Sequence, residues 1–61
     1  MFNIRYYYLY KGELLNPFLE AATTLKKAII KANKRIQHWH KIEIKNMSTG
    51  IVEWSYYKDN Y

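Results

Sequence analysis

The chain predicts an α+β fold: β-α-β-β, with one amphipathic helix packed on one face of a three- to four-stranded, mostly antiparallel sheet. Three observations carry that prediction. The first ten residues alternate with a period of two, and the middle of the chain carries an apolar stripe at helical period. The last third alternates again on either side of a turn-rich stretch.

Phe2 to Tyr10 is aromatic and β-branched, as strands prefer. Its even positions (Phe2, Ile4, Tyr6, Tyr8, Tyr10) are all apolar or aromatic and are expected to face the core; the odd ones (Asn3, Arg5, Tyr7, Leu9) are mixed. Lys11-Gly12 supplies a turn, and Glu13-Leu14-Leu15 is expected to fold back as a short return strand. Asn16-Pro17 then reads as a helix start, because Asn is a preferred N-cap and Pro suits the first helical position. Phe18, Ala22, Leu25, Ile29, Ala32 and Ile36 recur at steps of four and three, which predicts a helix of more than five turns from that point. Lys27, Lys31 and Lys34 fall on its opposite side with Glu20, and Arg35 on its flank. Trp39 to Lys45 alternates with Ile42 and Ile44 inward, and both His38 and His40 share that inward parity. Asn46 to Gly50 has the composition of a hairpin loop, with Gly50 free to adopt positive φ. Ile51 to Lys58 returns with Val52, Trp54 and Tyr56 inward, and the tail Asp59-Asn60-Tyr61 is expected to fray.

Size and composition set the function classes. Sixty-one residues make a single domain, 1–61, whose small core leaves it marginal alone. No cysteine is present, which excludes disulfides and thiolate metal sites. Self-association is then the expected source of added stability. No segment is apolar over the ~18 to 20 residues of a membrane span, and the start lacks a basic leader and apolar run, so no membrane partner and a cytoplasmic location are expected. No cofactor is expected. Two histidines are too few for a metal centre, the acids form no spaced catalytic pair, and two glycines cannot build a phosphate-binding loop. A non-enzymatic protein is the reading that remains.

The charge is segregated. Lys26, Lys27, Lys31, Lys34, Arg35 and Lys41 form a run of six cations without an acid, and the whole net charge of +5 resides there. A single helix covers one face of a sheet, so the other face is expected to show Arg5, Tyr7, Leu9, Trp39, Lys41, Lys45, Ser55 and Tyr57. Cations beside aromatic rings suit a protein interface and equally a base-stacking platform. The expected partner-binding residues are therefore Lys27, Lys31, Lys34 and Arg35 on the helix, with Arg5, Tyr7, Trp39, Lys41 and Tyr57 on the sheet. A protein partner and a homodimer lead; alternatives are a nucleic-acid-binding module, a nucleotide-ligand sponge at a subunit seam held by Arg5, Lys41 and tyrosines, and a purely architectural subunit.

The strand Ile4-Arg5-Tyr6-Tyr7-Tyr8, the Asn16-Pro17 helix start, the lysine-rich helix and the hairpin from Ile44 to Val52 together resemble the very small β-α-β-β proteins of phages and mobile elements of low-GC bacteria. Lys, Asn, Ile, Tyr and Phe make up nearly half the chain, a bias that suits such an origin. The resemblance implies an inhibitor of host defence, of the anti-CRISPR type, that occupies a surface of a host macromolecule. A net charge of +5 departs from the acidic DNA mimics among those proteins. The resemblance carries no functional residue over.

Overall fold

In the computed structural model, which describes residues 1–58, the order is β1 (Phe2–Tyr10), β2 (Glu13–Ala22), α1 (Leu25–Arg35), a 3-10 turn (Ile36–His38), β3 (Lys41–Asn46) and β4 (Ile51–Tyr57). The strands form one antiparallel sheet in the order β2-β1-β3-β4. The α+β class holds, and the helix packs on one face. The predicted fraying of Asp59-Asn60-Tyr61 lies outside the described residues.

The alternation of β1 places Ile4 and Tyr6 at 0% exposure, beside Ile42 and Ile44 of β3. Ala28 and Ala32 of α1 close over them, small residues that let the helix approach the sheet. Lys11 (φ 50) and Gly12 (φ 83) both take positive φ, the geometry of a two-residue hairpin turn that matches strand twist. Gly50 (φ 76) ends the β3–β4 turn as expected.

The return strand is not short, and the helix does not begin at Pro17. β2 runs ten residues, straight through Asn16-Pro17. Tyr6 pairs with Phe18 and Tyr8 with Leu15, so Asn16 and Pro17 together oppose Tyr7 as a bulge. Pro17 sits on an edge strand, where a missing N–H is tolerated. The Asn16 side chain fills the gap: its Nδ2 donates to the carbonyls of Tyr6 (2.8 Å) and Phe18 (3.2 Å). The N-cap is instead Thr24, whose Oγ1 accepts from the Lys27 N–H at 3.1 Å. Phe18 and Ala22 still reach the core, but from a strand, and Glu20 lies on the helix-covered face of β2 rather than on α1.

Two further expectations shift by bulge or boundary. Ile44 pairs with Trp54 but Lys45 with Val52, so Glu53 is an extra residue and Val52 turns to the uncovered face. β3 begins at Lys41, leaving Trp39 and His40 in the connection from the helix. His40 stitches that connection to the sheet: its Nδ1 accepts from the Leu9 N–H at 3.1 Å and its own N–H donates to the Tyr7 carbonyl at 2.9 Å. His38 is exposed in the 3-10 turn.

Candidate functional site

Two surfaces hold the residues expected to bind a partner, and they lie on opposite sides of the sheet. On α1, Ala28 and Ala32 face inward, which turns Lys26, Lys27 and Lys34 to solvent around an exposed Ile30. Lys31 and Arg35 share the flank above β2 and are engaged there. Lys31 Nζ donates to the Ala21 carbonyl at 2.9 Å. Arg35 grips the Glu20 carboxylate through Nε (3.1 Å) and Nη2 (3.2 Å), with its guanidinium 4.9 Å from the centre of the Phe18 ring. The expected ridge of four helix cations is thereby halved: Lys31 and Arg35 hold the helix to the sheet, because the chain reverses after Ala22 and sets β2 directly under them.

Glu20 also accepts the Tyr6 hydroxyl at 2.6 Å. Burial alone would raise its pKa. The hydrogen bond from Tyr6, then Arg35 and Lys31, outweigh that and hold the carboxyl below its ordinary value. Burial first, and then Glu20, push the Tyr6 phenol above its own.

The uncovered face is built from the odd residues of β1 and their neighbours. One row across it reads Leu19, Arg5, Glu43, Ser55; the next reads Tyr7, Lys41, Tyr57; Asn3, Lys45 and Val52 form a third, and Leu9 with Leu14 a fourth. Glu43 accepts the Tyr7 hydroxyl at 3.1 Å and pairs with Lys41 at 3.4 Å, while Lys41 Nζ lies 5.4 Å from the centre of the Tyr7 ring. That closed triad leaves Arg5 and Lys45 outside any ion pair among the described residues. Leu19 (56% exposed) and Tyr57 (48%) stand open, with Leu14 and Val52 also exposed.

Trp39 does not belong to this face. Its ring stacks on Phe18 (centroids 6.0 Å apart, planes 5°) and lies 5.5 Å from Tyr6. Because β3 starts only at Lys41, Trp39 escapes strand parity and closes the core beneath the 3-10 turn. Leu14, Leu19 and Val52 are the exposed members that sequence reasoning missed. The signal for the first two was Lys11-Gly12: a tight hairpin turn after a nine-residue strand asks for a partner of similar length.

No family model, curated protein or solved structure matches this chain. Its chemistry is read from its own surfaces. The described residues enclose no pocket and hold no group of three metal-ligating side chains, and no helix among them is long and apolar enough to cross a membrane.

Proposed function

We propose that this protein is a non-enzymatic binding protein that docks on an acidic protein surface through the uncovered sheet face, as an inhibitor or regulator of the phage-encoded kind. The observation that carries the reading is the pairing of exposed Leu14, Leu19, Val52 and Tyr57 with Arg5 and Lys45 on that face. Arg5, Lys41 and Lys45 against Glu43 alone leave a surplus of two positive charges there. Two such faces pressed together would repel, so the complementary occupant is acidic. Leucines also favour a protein over nucleic acid, since bases stack on rings. With Trp39 in the core and Tyr7 tied to Glu43 and Lys41, this face offers few rings for stacking. The carboxylates Glu20, Glu43 and Glu53 each hold a structural partner, which supports a role without catalysis.

The helix lysines act elsewhere. Charges more than ~8 Å apart are largely screened at physiological salt, and Lys26, Lys27 and Lys34 point away from the sheet on its far side. The test is affinity for a protein captured from nuclease-treated host lysate and then purified. Arg5→Glu with Lys45→Glu should weaken binding at least tenfold, and Lys26, Lys27 and Lys34 changed to Gln should not. The reverse pattern, or capture that depends on nucleic acid, overturns the proposal.

A further inference from the structure

The two edges of the sheet are unlike. β2 is blunted: Pro17 offers no donor, Asn16-Pro17 bulges, and Lys31 Nζ caps the Ala21 carbonyl. These are the devices that keep an edge from pairing. β4 has neither proline nor lysine from Ile51 to Tyr57, and Glu53 is its only charge. The Lys58 N–H donates to the His40 carbonyl at 2.8 Å, which sets the alternation along β4. Residues 58, 56 and 54 turn their backbone groups toward β3, and Ser55 turns its N–H and C=O outward.

The side chains agree with the backbone. α1 packs on β1, β2 and β3, short of β4, so Trp54 and Tyr56 stay half-buried on the helix side. On the other side Val52 is exposed, and on the helix side Ile51, in register with Asn46 and Phe2, is 59% exposed. Apolar surface thus runs to the open edge on both faces of the sheet.

We propose that β4 is the interface with a second copy of this chain, the two strands pairing antiparallel about Ser55 to make a continuous eight-stranded sheet. A two-fold axis there sets Trp54 beside Tyr56 of the second copy and repeats the contact in reverse. Cross-strand aromatic pairs of this kind stabilise sheets. The occupant is a second copy because the edge is nearly uncharged, so like meets like without the repulsion that the cationic face would bring. The interface meets the partner-binding face at its β4 margin, through Val52 and Tyr57, and leaves Arg5, Lys45, Leu14 and Leu19 open in both subunits.

An edge contact is smaller than a standard interface, so dimerisation is expected over about 5 to 500 µM. In sedimentation equilibrium the mass should rise from one chain to two across that range. Ser55→Pro removes an outward N–H that β3 does not use, and should hold the chain monomeric with its far-UV circular dichroism retained. Amide hydrogen exchange gives the same answer without a variant. The Ser55 amide should exchange at least tenfold more slowly at high than at low concentration, with residues 16–19 unchanged. A wild-type monomer throughout, a folded Ser55→Pro dimer, or protection that appears on β2 instead of Ser55 would each overturn the proposal. Arg5→Glu with Lys45→Glu should leave the dimer intact, which separates this interface from the proposed partner site.

Discussion

Arg35 holds Glu20 in a two-point ion pair, at 3.1 and 3.2 Å, and so ties the last turn of α1 to the edge strand β2. The carboxylate is shared with the buried Tyr6, so one acid joins helix, edge strand and core. Arg35→Ala strips the charge from one side of a half-buried carboxylate. It should destabilise the fold by about 1 to 2 kcal/mol, less than a fully buried pair because Arg35 is partly open to water. Urea unfolding measures it, and a midpoint equal to wild type would show that the pair contributes nothing.

The same network sets the pH range. Glu20 has a depressed pKa in the folded state, so its contribution is present above the ordinary carboxylate value of ~4.3 and is lost as pH falls through the folded value. Tyr6 has a raised pKa, so its contribution is whole below ~10 and is lost as pH climbs beyond that. Melting temperature should be flat between these limits and fall outside them. Glu20→Gln should flatten the acid limb.

Asn16 should matter more than Pro17. Its side-chain amide satisfies two carbonyls across the bulge, and Asn16→Ala leaves both without that donor, at about 1 to 2 kcal/mol. Pro17→Ala restores an N–H at an edge and should change stability by less than about 0.5 kcal/mol. Equal losses from the two, by thermal or urea unfolding, would contradict this account.

That dipeptide also shows where sequence reading reaches its limit. Ile42 and Ile44 of β3 and the inward face of β1 from Phe2 to Tyr8 are legible because a period of two survives without help from distant contacts. Tyr10 at the strand end, by contrast, is exposed, and the bulge at Glu53 turns Val52 outward. Asn16-Pro17 satisfies the local rules for a helix start, and Phe18 and Ala22 fit a helical stripe. They fit the core side of a bulged strand equally well. What decided between them was pairing with β1, a tertiary effect that local preference does not contain. The candidate site suffered in proportion. Arg5, Tyr7, Lys41 and Tyr57 lie on the uncovered face as their parity implied. Strand parity reaches Trp39 only if β3 extends back into the connection, and a helical stripe from Phe18 conceals Leu19 although the helix begins six residues later.

Trp39 and Tyr57 should separate cleanly. Trp39→Ala empties the space between Phe18, Tyr6 and Tyr8, a change that costs about 3 to 5 kcal/mol. A chain of this length has about 3 to 9 kcal/mol in total, so the variant should lose a third or more of its stability in urea unfolding at 25 °C. Tyr57→Ala, at an exposed edge, should stay folded and lose no more than about 1 kcal/mol. A Trp39→Ala loss no larger than that of Tyr57→Ala would place that ring outside the core.

Ile30 tests the assignment of the helix surface. It is exposed between Lys26 and Lys34, one turn away on either side, where an apolar residue gains nothing from the core. Ile30→Glu places a carboxylate four residues before Lys34 and four after Lys26, within a face that otherwise carries only cations. Each such pair is worth about 0.2 to 0.5 kcal/mol on a helix surface, and the better of the two is the one with Lys34, where the acid comes first in the chain. Thermal unfolding should therefore show a gain of up to about 1 kcal/mol. The new acid also offsets one of the lysine charges on the helix, while leaving the opposite side of the sheet untouched. If the uncovered sheet face is the docking surface, partner affinity should remain within about twofold of wild type, because the helix charges lie beyond the screening length of that face. A tenfold loss with the fold intact would move the contact from the sheet to α1.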